Sequence, residues 1–140
     1  MKTLAILALL LVSVGAQGQK APPRKATLAE QKACSEQAAK VFHEHFPDSS
    51  DSTYTSHYDP EANVCYAYIE QLKKRNGDIA QQVIILDAFE NKGYAVFYAL
   101  SPSQAPNACT VTPLRKKEGV ECSSKAEFDA LVRQYYNLDK

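Results

Sequence analysis

His57 and Cys65 stand close together in "HYDPEANVC", with Asp59 between them. A thiol beside an imidazole ionises near neutral pH and attacks carbonyl carbon. An oxidised sulfur is no nucleophile, and no glycine motif for an oxyanion hole accompanies this pair. The stretch therefore reads as a hairpin whose cysteine is a staple. His43 and His45, in "FHEHF", are the next candidates, as metal ligands. Two positions apart on a helix they point about 200° apart, whereas helical zinc pairs sit at i and i+4. His45 is expected at the edge of the core and His43 in solvent, with no metal or other cofactor. Most carboxylates are scattered over different elements. Asp87 differs, because it interrupts the apolar run "VIILDAF". A buried carboxylate is costly unless paired. Asp87 is either a perturbed acid in a pocket or the end of a strand that already reaches water or a lysine.

Tyrosine is frequent, with eight in the chain and no tryptophan. It offers a large apolar body and a polar tip, which suits binding. Tyr66, Tyr68, Tyr94 and Tyr98 fall on strand-like segments and are the candidate binding residues. A helix covering them is the plainer account. The basic clusters Lys73-Lys74-Arg75 and Arg115-Lys116-Lys117 sit at predicted turns, where they act as solvated tips that discourage edge pairing. There is no phosphate loop, no G-x-S-x-G, no H-E-x-x-H and no C-x-x-C.

The elements that must position these residues begin with a helix. Thr27 and Glu30 form a T-x-x-E capping box. Cys34, Ala38, Val41, Phe42 and His45 follow at helical spacing on one face, and Pro47 ends the helix. Strands are predicted over 53–58, 64–71, 82–89 and 94–100. "DPEAN" joins the first two, Asn76-Gly77 the next, and "ENKG" the last, with Gly93 suited to a left-handed position. Strands on short turns pair antiparallel. Residues 109–122 read as a short closed excursion with a basic tip. Ser124 and Glu127 form a second capping box, and Phe128, Leu131, Val132, Tyr135 and Leu138 make an apolar stripe. The predicted fold is α+β: an N-terminal helix, a four-stranded antiparallel meander, a C-terminal helix and two disulfides.

Turn lengths also predict register. A five-residue "DPEAN" loop sets His57 opposite Cys65 and Tyr58 opposite Val64. A loop of Asn91, Lys92 and Gly93 sets Ala88 opposite Val96 and Leu86 opposite Tyr98. One sheet face then carries Cys65, Ala67, Ile69, Ile85, Ala95, Phe97 and Ala99, and the other carries the tyrosines. A slip of one residue would exchange these assignments.

The first sixteen residues read as a signal peptide: Lys2, an apolar run from Leu4 to Val14, and small residues at Val14 and Ala16 before the cleavage point. The run is shorter than the ~20 residues a membrane span needs, so no span is expected after cleavage. Residues 17–26 form a flexible leader and residues 27–140 one domain. Losing Lys2 leaves one basic residue fewer than the 16 acidic ones. A net charge near −1 argues against nucleic acid as a partner. Export, to the periplasm or the medium, puts the four cysteines where they pair. Of the three connectivities, Cys34–Cys65 and Cys109–Cys122 fit the topology best. Cys34 lies on the inward face of the first helix, and Cys109 and Cys122 bracket a segment with turn signals at Pro113 and Gly119.

"YTSHYDPEANVCYAYI", with an upstream cysteine in a helix, resembles a pattern in small exported bacterial proteins of unknown function. There a tyrosine-rich strand, an H-Y-[ND]-P-like turn and a cysteine-bearing strand follow one another. The resemblance covers residues 34–100 and implies the fold and the signal peptide, but no activity.

These readings converge on an exported, disulfide-stapled, non-catalytic binding module whose partner is a protein or a small apolar ligand. The alternatives are a small hydrolase using His57 or Asp87, and a purely structural envelope protein. A deep polar pocket holding His57 and a carboxylate would favour the enzyme.

Overall fold

Thr27 opens the first helix as expected. Its hydroxyl accepts from the Glu30 N–H at 3.2 Å, and the Glu30 carboxylate accepts from the Thr27 N–H at 2.8 Å. Such a cap is worth about 1 kcal/mol. The Thr27 N–H, more than any other neighbour, holds the Glu30 carboxyl below its ordinary pKa. The computed structural model describes residues 23–47, 49–75, 77–101, 104–114 and 116–136. The expected signal peptide, most of the leader, Arg115 and Leu138 lie outside them.

Helix α1 (Leu28–His45) leads through a short 3-10 turn into strand β1 (Ser52–Asp59). Strands β2 (Val64–Arg75), β3 (Asp78–Asp87), β4 (Lys92–Ala99), β5 (Ala108–Val111) and β6 (Val120–Glu121) follow, then helix α2 (Lys125–Val132) and a 3-10 turn over Arg133–Tyr135. The strands form one antiparallel sheet in sequence order, β1 through β6. The expected four-stranded meander is therefore corrected to six strands. The two additional strands come from the segment read as a closed excursion. There Cys109 and Val111 turn inward, while Thr110 and Thr112 stay partly exposed. The alternation is real but brief, lying between Pro106 and Pro113. Pairing on β4 satisfies backbone groups that a free loop would leave to water.

Register departs from expectation in an informative way. Tyr58 pairs with Cys65 and His57 with Tyr66, because the first turn has four residues and Asp59 pairs with Val64. The Asp59 carboxylate makes this possible: it accepts from the N–H groups of Glu61 and Ala62 at 2.9 and 3.1 Å. Asn63 takes the left-handed conformation, as expected. At the third turn Asn91, not Gly93, is left-handed. Gly93 pairs with Leu86 and Ala95 with Ile85, so Tyr94 is the extra residue of a β-bulge. The expected Ala88–Val96 and Leu86–Tyr98 pairs are replaced by Ile84–Val96 and Gln82–Tyr98.

The two helices supply two layers. On one face α1 packs Cys34, Ala38, Val41 and Phe42 against Tyr58, Cys65, Ala67, Ile69 and Leu86. Ala38 and Ala67 are sealed and small, which lets the helix approach closely. On the other face α2 and the final turn pack Phe128, Val132 and Tyr135 against Tyr66, Val83, Ile85, Ala95, Phe97 and Val111. The expected face lists are thus corrected: Cys65, Ala67 and Ile69 join Tyr54 and Tyr58, while Tyr66 and Tyr68 join Ile85 and Phe97. Ser124 caps α2, but the Glu127 carboxylate reaches back to Ser123 rather than Ser124, accepting from its N–H and its hydroxyl, each at 2.8 Å.

Both disulfides form as the topology demanded. Cys34–Cys65 joins α1 to β2 across 31 residues, and Cys109–Cys122 joins β5 to the end of β6 across 13. Closing loops of this length is worth about 3–4 kcal/mol each by chain entropy.

Phe128 is 0% exposed and packs in a tilted arrangement against Phe97, at 5.5 Å between ring centroids. Phe128→Ala should lower the unfolding free energy by about 3–5 kcal/mol, whereas Leu28→Ala, at a side chain 85% exposed, should change it by less than about 0.5 kcal/mol. Urea denaturation measures both. Equal midpoints would show that α2 does not close the core.

Candidate functional site

The two helices do not cover equal halves of the sheet. Helix α1 lies over β1 and β2 and leaves the same face of β3 and β4 partly open. A groove of about 600 Å³ runs there, between the end of α1 and the floor of the sheet. His45, Phe46 and Pro47 form its wall, and Gln71, Lys73, Gln82, Ile84, Leu86 and Asn91 its floor. Strand alternation places Gln71 and Lys73 on the α1 face of β2. It places Gln82, Ile84 and Leu86 on the same face of β3. Gln71 and Gln82 are direct cross-strand partners, and Tyr98 is the partner of Gln82. A polar row thus crosses an otherwise apolar face.

Gln71 is the unusual member, because it is 6% exposed and still lines the groove. Its amide makes no hydrogen bond to another described residue. Its atoms are not among the buried polar atoms that lack a partner, so the amide opens to the groove, and its donors and acceptor are available there. His45 is exposed at the groove wall rather than half-buried at the core edge, and His43 is exposed as expected. Neither His45 nor Lys73 takes part in the ion pairs of the described residues. Sequence reasoning missed Gln71, Lys73 and Gln82 as a group. The only available signal was a glutamine at an inward position of each of two paired strands.

A second depression of similar size lies near the far ends of β2 and β3, lined by Asp51, Thr53, Glu70, Leu72, Lys74 and Ile79. It carries charges of both signs, and Leu72 and Ile79 are exposed within it. Ser52 also lines it, with its hydroxyl oxygen buried and without a hydrogen-bond partner among the described residues.

The residues singled out for chemistry separate in space. His57 and Cys65 occupy opposite faces of the sheet, and Cys65 is oxidised. His57 lies beside Tyr66, with its Nε2 atom buried and without a partner. Asp87 is 2% exposed, and its carboxylate accepts from the Phe89 N–H at 2.9 Å. It caps the third turn as Asp59 caps the first. Among the described residues no three of His, Cys, Asp and Glu gather as a metal ion requires.

Three of the four candidate binding tyrosines lie beneath the C-terminal elements. Tyr66 is 1% exposed and packs against Tyr94 and Tyr135, with centroids 5.4 and 5.1 Å away. Tyr68 packs edge-on against Tyr136 at 5.8 Å. The Tyr135 hydroxyl donates to the Thr112 carbonyl. Tyr98 alone stands on the other face, level with the groove. Burial raises the phenol pKa across the cluster, most of all at Tyr136 and Tyr66. At Tyr66 the neighbouring Tyr94, Asp59, Tyr135 and Asp87 add to it. Tyr68 and Tyr135 are each pushed up to about 12, by burial first.

This sets an alkaline limit on the fold. A tyrosine with a raised folded-state pKa binds its proton longer in the native state than in the unfolded one. Its contribution is complete below the unfolded value near ~10 and is lost as pH rises through the folded value. Stability should therefore fall between about pH 10 and 12, with tyrosinate absorbance at 295 nm rising alongside the loss of ellipticity. Cluster tyrosines that ionise near pH 10 in a chain still folded would contradict this.

No protein-family model, no curated protein and no solved structure matches the chain, so the functional reading rests on the groove's own chemistry.

Proposed function

We propose that the chain is an exported, non-catalytic binding module, and that its site is the groove between the end of α1 and the β2–β3 floor. The observation that carries this reading is Gln71: a largely buried residue whose amide has no partner among the described residues and opens into a cavity of about 600 Å³. Small-molecule sites are apolar concavities of about 300–1,000 Å³ with a few converging polar groups. Phe46, Ile84 and Leu86 supply the apolar part, and Gln71, Gln82 and Lys73 the polar part. The size favours a small ligand over a protein surface, which would need about 800 Å² on this partner alone.

The non-catalytic half of the reading is supported by what the candidate chemical groups already do. Cys65 is bonded to Cys34, and Asp59 and Asp87 are tied into turns. Among the described residues lining the groove there is no carboxylate to act with His45. Export is supported by the apolar run from Leu4 to Val14 and by two disulfides, which persist in oxidising compartments. The periplasm and the medium both meet that condition.

Two measurements test these halves separately. N-terminal sequencing of the exported chain should begin at Gln17, and a chain still starting at Met1 would contradict processing. For the groove, Gln82→Trp should fill the cavity and abolish binding of small ligands detected by ligand-observed NMR, with circular dichroism unchanged. His57→Ala, on the opposite face, should leave binding intact. The reverse pattern would move the site to the α2 face.

A further inference from the structure

The groove's charge narrows what it takes. Among the described residues its ionisable side chains are His45 and Lys73, both basic, and no described Asp or Glu lines it. Neither has an ion-pair partner among the described residues. Lys74, Lys92, Lys116 and Lys117 also stand outside the ion pairs, so what sets the groove apart is a lining without a described carboxylate. Among the described residues the groove thus carries basic groups without an acidic one, on a chain with no net charge. Beside Lys73 lie the two cross-strand amides, Gln71 and Gln82, which offer N–H donors in a fixed row. A cation flanked by neutral donors suits a carboxylate, since hydrogen bonds to an ionised acceptor are the strong ones. The rest of the lining, Phe46 and Ile84 foremost, is apolar.

The geometry points to a small organic acid as the ligand: a single carboxylate on an apolar body. The carboxylate sits at Lys73 and the amides of Gln71 and Gln82, and the apolar body lies along Ile84 toward Phe46. The carbonyl end of α1 carries partial negative charge and would repel an anion. That places the carboxylate on the strand floor and leaves His45 at the helix end as a flanking base. The assignment rests on the groove being the binding site, so the test must separate the two claims.

A matched pair of probes does so. The chain as exported, labelled with nitrogen-15, is titrated with 4-phenylbutyrate and with its neutral isostere 4-phenylbutyramide. The acid should shift the side-chain amide resonances of Gln71 and Gln82 and bind at least tenfold tighter than the amide. Lys73→Glu should remove that preference, leaving the two probes equal, while the fold, followed by circular dichroism, is unchanged. Equal binding of both probes to the unsubstituted chain at these resonances would overturn the acid and keep the groove. A preference that survives Lys73→Glu would also overturn the acid's placement. If neither probe shifts the groove resonances at millimolar concentration, both the acid and the groove fall.

Discussion

The Cys34–Cys65 bond is the constraint on which the rest of this structure depends. It joins the inward face of α1 to the second strand, with the two Cα atoms 5.3 Å apart. With that distance set, a helix about 10 Å wide covers β2 and one neighbour about 4.8 Å away, and the short run of chain from α1 into β1 makes that neighbour β1. Ala38 and Ala67 fit the close approach, and Phe42 fills the space beside Tyr54. The same constraint leaves β3 and β4 partly open on that face. The groove is a consequence of where the helix is tethered, and its floor is whatever β2 and β3 present beyond the helix edge.

The opposite face is governed by burial rather than by a covalent tie within the helix. Phe128, Val132 and Tyr135 cover the aromatic patch, and Cys109–Cys122 holds the short strands that α2 follows. Tightening from α-helix to a 3-10 turn at Arg133 leaves Tyr135 fully buried. The bulge at Tyr94 serves the same cluster, because it turns one further ring toward Tyr66 and Tyr135. Tyrosines that look like a binding surface in sequence are here mostly the core of one layer.

His57 shows how far a single residue of register reaches. A five-residue turn would have set it beside Cys65, and the chemistry of that pair would have stayed open. With Asp59 drawn into the strand, the turn shortens by one and His57 faces Tyr66 on the far side of the sheet. The side-chain period of a strand is two, so an odd shift inverts every residue on it. At the third turn the shift is even along most of β4, and there Ala95, Phe97 and Ala99 keep company with Ile85 as expected. Tyr94 alone is displaced by the bulge.

The sequence by itself determined what depends on local chemistry. The T-x-x-E cap placed α1, the apolar spacing marked Cys34, Ala38, Val41 and Phe42 as its buried side, and the turn residues made the first four strands antiparallel neighbours. The cysteine pairing followed, since it needed only which elements meet. The tertiary structure decided what depends on registration between distant segments. Strands β5 and β6 form because the edge of β4 is there to receive them. The faces of β1 and β2 follow from one carboxylate capping a turn. Gln71, Lys73 and Gln82 become a site only because the open part of the sheet brings them together beside the end of α1. No spacing along the chain encodes that meeting, since two paired strands and a helix tethered elsewhere must all be in place before it exists.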